Sequence, residues 1–275
     1  MEIMDIIKKS FIFPSNNLDK LALYIVLTFA AVLLLFGGIS FFILSSESSA
    51  FVILGVILSI LSLIVIFVTL GYKLAIMKSG IDQDEKAPSF NWKNDILSGI
   101  KVIVLNIVYF IVPAIIVVIV ALITNIPGNF MQIVNEFNAN VNATAINSTV
   151  AVGPVVSNAS LEALGFSLII TAIVAIILFI IFSFLESMGE ARLANTGSLG
   201  NGLNIIEAAK DIPRIGVGKV IATILLVIII MVVIQGILSY IYGQIPQLGI
   251  ISVIVTPYLT FFAQRAYGLL YSDIA

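Results

Sequence analysis

The chain has 275 residues, of which 60% are hydrophobic and only 10% are charged. A soluble domain carries roughly 25% charged residues, so this composition, with a mean hydropathy of +1.19, predicts a single integral membrane domain over 1–275. The net charge of −2 gives no support to nucleic-acid binding. Cysteine and histidine are absent, which excludes disulfides, thiolate or imidazole metal sites and histidine proton relays.

The first segment, 1–13, has the pattern of a short amphipathic helix that Pro14 ends. Its face of apolar and small residues recurs at helical spacing, with the charged residues elsewhere; it comprises Ile3, Ile6, Ile7 and Ser10/Phe11. Two apolar runs follow, at about 21–44 and 50–70. Each is long enough to cross a ~30 Å hydrocarbon core at ~1.5 Å per residue.

Within the second run, Gly55 and Ser59 are four residues apart. This small-xxx-small spacing favours close approach of two helices, although such pairs also arise by chance in apolar runs.

A second amphipathic segment, 91–100, precedes the third span at about 102–124. Its apolar side chains again follow helical spacing; they are Trp92, Ile96, Leu97 and Ile100. We expect Pro88 to start this helix, Trp92 to anchor it at the headgroup level and Gly99 to permit a bend into the span. Pro113 is expected to kink the span.

The chain from Lys101 to Arg192 contains no Lys, Arg or His between these two residues. It reads as an outward span, a polar loop over 125–161 and a returning span over 164–185. One face of the loop has the apolar spacing of a surface helix, through Phe130, Ile133, Val134, Phe137 and Val141. The loop also carries three glycosylation sequons, which begin at Asn142, Asn147 and Asn158.

The last third repeats the pattern. A third amphipathic stripe over 203–212 precedes spans at about 219–244 and 248–262; it comprises Leu203, Ile206, Ala209 and Ile212. The predicted fold is therefore an all-α polytopic membrane bundle of six transmembrane helices in three hairpins, with cytoplasmic interfacial amphipathic helices.

The three hairpins are interpreted as a loose internal repeat. Each unit has an amphipathic segment, a lysine, an outward span, an inward span and a closing basic residue. The opening lysines are Lys20, Lys101 and Lys219, and the closing residues are Lys73, Arg192 and Arg265. The alternative is that any membrane protein built from hairpins shows the same order.

The orientation follows from charge. With six spans, all thirteen Lys and Arg residues fall on the side of the two termini. By the positive-inside rule, both termini are predicted to be cytoplasmic and the 125–161 loop exterior, in a cell membrane.

One series of residues carries a family resemblance. It runs from Gly71-Tyr72 through 87–92 (Ala-Pro-Ser-Phe-Asn-Trp) and 95–101 (Asp-Ile-Leu-Ser-Gly-Ile-Lys) to Tyr109 and Pro113, and the opening 10–14 (Ser-Phe-Ile-Phe-Pro) fits it. The series resembles a family of multi-pass membrane proteins described only as a domain of unknown function, frequent in methanogenic archaea and some bacteria. The resemblance implies a prokaryotic cell membrane and an archaeal host, and it supplies no activity or catalytic residue.

Polar residues inside spans are the candidate functional residues. They are Asn106, Tyr109, Gln235 and Tyr258; hydrogen bonds between helices explain Asn106 and Gln235 adequately. Glu186 and Glu190 lie on one helix face. In one interpretation they are a carboxylate pair that carries out acid–base chemistry or binds a divalent cation. In the other they are an interface pair neutralised by Arg192 or by basic residues of neighbouring hairpins.

No nucleophile elbow, phosphate loop or zinc-protease motif occurs in the sequence. We therefore expect no catalytic residue, no cofactor and no metal, and no enzymatic activity. The preferred function is organisation of the bilayer or of a membrane complex, with membrane lipids and unknown proteins as partners and no nucleic acid. The alternatives are a transporter or channel component for a small or lipid-like substrate, and a lipid enzyme using Glu186 and Glu190.

Overall fold

The computed structural model describes residues 1–44, 48–146 and 156–275, and within these residues it contains helices and no strand. In chain order the α-helices are α1 (Ile3–Ile12), α2 (Leu18–Ile43), α3 (Ser49–Ile81), α4 (Trp92–Ile123), α5 (Ile126–Ile146), α6 (Asn158–Thr196), α7 (Leu199–Gly202), α8 (Ile205–Ile215), α9 (Val217–Gln244) and α10 (Ser252–Tyr271). Short 3₁₀ turns cover Ser15–Asn17 and Pro246–Ile251.

Six helical stretches are long and apolar enough to cross a membrane, by length and composition. They are Ile3–Ile43, Ser49–Ile81, Trp92–Ile123, Asn158–Thr196, Val217–Gln244 and Pro246–Tyr271. Their surfaces carry many exposed large apolar side chains, Phe36 and Phe166 among them, which suits lipid and not water. The predicted all-α class and the six spans are confirmed, and the chain is a multi-pass membrane protein.

The segment 91–100 is the beginning of α4 and not a separate helix, which corrects two expectations. α4 begins at Trp92, so Pro88 lies in the non-helical connection before it, and the helix continues through Gly99. Gly99 has a different role: a β-carbon there would overlap the carbonyl oxygen of Phe67 in α3. The glycine therefore permits close approach of two helices and does not create a bend. α4 also continues through Pro113.

The chain divides into two compact units, 1–107 with 184–275, and 108–183. In the first unit α3 packs against both α2 and α10. Buried aromatic rings fill the centre of this packing, where Tyr24 contacts Phe261 edge to face and Tyr72 lies beside both. Burial of such large side chains stabilises a helix bundle through dispersion contacts, even where lipid removes the hydrophobic driving force.

Glycines set the closest helix contacts. A β-carbon at Gly268 of α10 would overlap the Met77 carbonyl of α3, and one at Gly80 would lie 2.9 Å from the Gly268 Cα. In the α2–α3 contact, a β-carbon at Gly55 would lie 3.1 Å from the Gly38 carbonyl oxygen, and one at Gly38 would lie 2.7 Å from the Ser59 hydroxyl. The predicted close approach at Gly55 and Ser59 is confirmed.

The connection between α3 and α4 is held by the side chains of Asn17 and Asp95. Asn17 accepts a hydrogen bond from the Ala87 amide at 2.7 Å and donates to the carbonyl oxygens of Phe13 (2.9 Å) and Glu85 (3.3 Å). At the start of α4, Asp95 accepts from the Asn91 amide at 2.8 Å. These bonds satisfy backbone groups that no helix satisfies.

Helix α1 packs on protein through its predicted stripe. Ile6, Ile7 and Ser10 are buried, and α1 contacts α9 and α10. Met4 and Ile12 remain exposed on other faces. The amphipathic pattern of α1 is therefore explained by packing on the bundle, and an interfacial position for this helix stays a prediction.

The second unit contains parts of α4 and α6 and all of α5. Its polar contacts join the helices near their turn: Ser167 donates to the Thr124 carbonyl at 2.7 Å, and Asn129 donates to Ser167 at 2.7 Å. Glu136 of α5 accepts hydrogen bonds from Ser160 and from the Ser157 amide at the start of α6. These bonds, that of Ser160 first, hold the pKa of the half-buried Glu136 carboxyl below its usual range.

Candidate functional site

The two candidate carboxylates, Glu186 and Glu190, lie one turn apart on α6 and face into the first unit. Glu190 is buried, and Glu186 is half-buried. The two side chains lie close enough to interact with each other.

Three other helices supply polar partners to this pair. The side-chain nitrogen of Asn106 in α4, with its amide oriented to satisfy both ends, donates to Glu186 Oε1 at 3.0 Å and to the Val102 carbonyl at 3.3 Å. Gln264 of α10 lies close enough to Glu190 to act on its carboxyl group. Lys73 of α3 acts electrostatically on both carboxyl groups, without an ion pair within 4.0 Å among the described residues. We call Glu186, Glu190, Asn106, Gln264 and Lys73 the carboxyl cluster.

The expected neutralisation by Arg192 is replaced by another arrangement. Arg192 donates to Asp211 of α8 at 2.8 Å, and the same carboxylate accepts from Arg214 at 2.9 Å and from the Tyr271 hydroxyl at 3.0 Å. The basic residue beside the glutamates is Lys73, which comes from a different predicted hairpin. The other half of the expectation, neutralisation by a cation from a neighbouring hairpin, stays a prediction, because Lys73 forms no ion pair with either glutamate within 4.0 Å.

The remaining intramembrane candidates have separate surroundings. Gln235 is exposed on α9 and makes no hydrogen bond within the described residues, so the expected bond between helices is not formed there. The Tyr258 hydroxyl donates to the Phe11 carbonyl at 2.6 Å and lies 2.9 Å from the Ser15 hydroxyl. Tyr109 is buried in α4. Tyr258 thus holds the start of the chain on α10.

Of the three sequon asparagines, Asn158 is exposed at the start of α6. Its sequon hydroxyl, on Ser160, is buried and bonded to Glu136 and to Gln132. Asn142 lies in α5 with its side chain outside the described residues, and Asn147 lies outside them altogether. The Asn158 sequon therefore lies within a helix, with its asparagine exposed and its serine hydroxyl already hydrogen-bonded.

The carboxyl cluster has the chemistry to take up and release a proton, or to contribute carboxylate and amide oxygens to a cation. Within the described residues no three acidic side chains come together as a metal site. The cluster combines two acids, one base and two amides at buried and half-buried positions, where electrostatic interactions are stronger than in water.

Four further sets of charged contacts lie in the first unit. Asp273 pairs with Lys219 and with the terminal amine; burial alone would raise the pKa of Asp273, but the Lys219 and terminal-amine contacts together lower it. A hydrogen bond from Lys210 holds the pKa of Glu207 below its usual range, with Arg214 adding to the effect. Lys101 donates to the Gly197 carbonyl at 2.8 Å and Lys78 to Asn195 at 3.4 Å. We call the region formed by these contacts the charged end of the first unit; it comprises Lys78, Lys101, Glu207, Lys210, Arg214, Lys219 and Asp273.

Sequence reasoning missed Gln264 and Asp211 as members of polar networks. Gln264 lies two residues beyond the predicted end of the sixth span, and its place beside Arg265 is the available signal. Lys73 carried a clearer signal, because it is the closing residue of the first repeat unit.

No curated protein and no solved structure matches the chain. A sequence family matches residues 54–243, which include most of the motif residues that suggested a resemblance. Since this match covers more than half of the chain, the protein belongs to the family described as protein of unknown function (DUF4013).

Proposed function

We propose that this protein is a non-enzymatic integral membrane protein that organises the bilayer or a membrane complex at its charged end. The observation that carries the proposal is an apolar surface at that end that the described chain leaves uncovered. In the first turns of α4, Trp92 is 52% exposed, Leu97 52% and Ile100 40%. In α8, Ile206 is 70% exposed.

The opposite faces of these segments are fixed to the bundle. α4 packs through Gly99 and the buried Asp95, and α8 is held by the buried Asp211. In α8, Ile206 lies one turn from exposed Lys210, and Arg214 is exposed in the last turn. Apolar residues flanked by cations are the pattern of helix surfaces that lie among anionic headgroups.

The proposal includes the orientation drawn from charge: a cell membrane, with both termini and the charged end cytoplasmic and the 125–161 loop exterior. In this orientation α8 lies directly before the span α9, with only Gly216 between them. Its exposed face is then at the inner membrane surface, in position to bind lipids or the membrane-facing helix of another protein.

The alternative is a transporter or channel component for a small or lipid-like substrate. The carboxyl cluster favours it, because buried ionisable groups within membrane bundles frequently serve transport. Purified protein in liposomes with a pH-sensitive dye inside tests this alternative. Proton or cation flux that Glu186→Gln and Glu190→Gln both abolish would favour transport over organisation.

The test of the preferred function uses Trp92, the only tryptophan of the chain. In bilayers containing acyl-brominated lipids, we expect short-wavelength emission that the bromine quenches. For α8, Ile206→Trp in a Trp92→Phe background should respond in the same way. Arg214→Trp in that background is the matched control, since Arg214 is exposed on the same helix but lies about 80° around it from position 206, and this tryptophan should be quenched by aqueous iodide.

The proposal fails if Trp92 and the tryptophan at position 206 are both quenched by iodide and do not respond to brominated lipid. A different result would identify a protein partner on the same surface. In that case the emission in native membranes is at short wavelength but is not quenched by lipid, and lipid quenching appears only after purification.

A further inference from the structure

A cavity of about 250 Å³ lies in the first unit beside α1 and α10. Its polar lining is Lys9 of α1, Asn16, Gln83, Glu85 and Arg265 of α10. The volume is several times the ~30 Å³ share of one water molecule, so a group of the size of a phosphate fits. Neither the carboxyl cluster nor the exposed surface of α8 contributes to the lining.

Arg265 is the unusual member of this lining, because it is only 4% exposed. Its Nη1 donates to the Ser79 hydroxyl at 3.1 Å, and its guanidinium carbon lies 4.5 Å above the ring of Phe13. Its Nε is buried without a hydrogen-bond partner. Among the described residues no carboxylate pairs with it within 4.0 Å.

Asp84 and Glu85 act on the Arg265 charge from a distance, but neither forms a direct ion pair with it. Burying a guanidinium without a direct ion pair is costly, and removing water from it requires replacement of its hydrogen bonds. The guanidinium group has five N–H donors, and the structure shows an acceptor for Nη1 alone. Lys9 adds a second positive charge to the lining, while Glu85 supplies one negative charge. The side chains of the cavity are therefore net positive and have donors in excess.

We propose that this cavity binds a phosphate group, with Arg265 and Lys9 as its direct ligands. The planar fork of arginine matches phosphate oxygens in geometry and charge, and Lys9 meets a third oxygen as a point charge. The phosphate comes either from a phospholipid headgroup or from a soluble phosphate compound. The first source suits the position of the cavity, since Asn16 in its lining comes two residues before the first span at Leu18.

This site goes beyond the proposed organising function and does not depend on it. Phosphate binding is measurable in detergent, where no bilayer exists to be organised. Loss of the lipid contact at Trp92 would leave the phosphate site intact, so the two proposals fail separately.

Two measurements test the site. Inorganic phosphate is titrated into the protein in uncharged detergent by calorimetry, with chloride at equal ionic strength as the control. Protein in nanodiscs of mixed phosphatidylglycerol and phosphatidylcholine is then released gently and examined by native mass spectrometry for retained lipid. Phosphate binding without retained lipid assigns a soluble source; retained phosphatidylglycerol that phosphate displaces assigns the headgroup.

Variants identify the ligands. Lys9→Gln is expected to weaken phosphate binding about tenfold, the loss of one charge-assisted contact. Lys8→Gln is the matched control, because Lys8 is exposed on the same helix outside the cavity lining. Glu85→Gln removes the negative charge from the lining and should tighten binding severalfold. Arg265→Gln should abolish binding if the variant folds.

Lys9→Gln and Glu85→Gln keep the test independent of the folding of the Arg265 variant, since both residues are exposed. Absence of phosphate binding at millimolar concentrations, together with no selective lipid retention, overturns the proposal. The proposal is also overturned if Lys8→Gln weakens phosphate binding as much as Lys9→Gln does, because the anion would then be attracted by surface charge alone.

Discussion

The rings of Tyr72 and Phe90 stack in parallel, with centroids 3.7 Å apart and 6° between their planes. The Tyr72 hydroxyl also donates to the Pro88 carbonyl at 2.9 Å. Together the two contacts fasten the α3–α4 connection onto the buried aromatic centre of the first unit.

Removing the stack should destabilise the protein more than removing the hydroxyl. Phe90→Ala is expected to lower the free energy of unfolding by about 2–3 kcal/mol, through lost apolar burial and ring contact. Tyr72→Phe should lower it by about 1 kcal/mol, the net value of one hydrogen bond. Unfolding in mixed micelles measures both, with Phe166→Ala, at an exposed position, as a control expected to change little.

Close contact between α3 and α10 requires glycine at position 268. Gly268→Ala should cost about 1–3 kcal/mol or more, because the added carbon meets the Met77 carbonyl and the helices must separate. Gly236→Ala in α9 is the matched control, since no atom lies within 4 Å of a β-carbon there. Equal melting temperatures for the two variants would contradict the close contact.

The Asp273–Lys219 pair predicts acid sensitivity. Because the pKa of Asp273 is lower in the folded protein than its ordinary value of 3.8, the pair stabilises the fold above that value. This stabilisation is lost as the pH falls through the folded-state pKa. Melting curves between neutral and strongly acidic pH should show an advantage of the wild type over Asp273→Asn that disappears in acid. Asp5→Asn, at an exposed position, should parallel the wild type throughout.

The topology has a direct test, because the chain contains no cysteine. One variant carries a single cysteine at Ser148, in the predicted exterior loop and outside the described residues, and a second carries one at exposed Asn201. Intact cells with each variant are treated with a membrane-impermeant thiol reagent. The charge asymmetry predicts labelling at position 148 and none at 201 until the membrane is opened. The reverse result would invert the orientation and remove the cytoplasmic location of the charged end.

The spans were predictable from the sequence because lipid imposes a length and a composition on each of them. The helix ends were not: α6 continues to Thr196 past the apolar run that ends near Leu185, since charged side chains continue a helix that other helices support. Gly99 illustrates a second limit. A glycine before a span fits a bend as well as a close contact, and only the position of Phe67 decides between them.

The site was predictable in its members and not in its assembly. Glu186 and Glu190 follow from helical spacing, and Asn106 follows from its position in a span. Their meeting depends on how α4 and α6 cross, which periodicity does not encode. Asp211 was not predictable as a buried residue, because it stands among the other charged residues of α8 and its sequence context is typical of a solvent-exposed side chain. It is buried in the structure, where it accepts a hydrogen bond from Tyr271, 60 residues later in the chain.

The α3–α10 contact also has a consequence for biogenesis. Its partners Ser79 and Arg265 are separated by 186 residues, which a ribosome adds in roughly 10–40 s at ~5–20 residues per second. During that interval the groove around Gly80 faces lipid or the insertion machinery, with its serine and glycine backbone uncovered. The nascent chain therefore remains for a long interval with α3 inserted and its partner α10 not yet synthesised. During this interval membrane quality control would recognise a truncated or slowly translated chain.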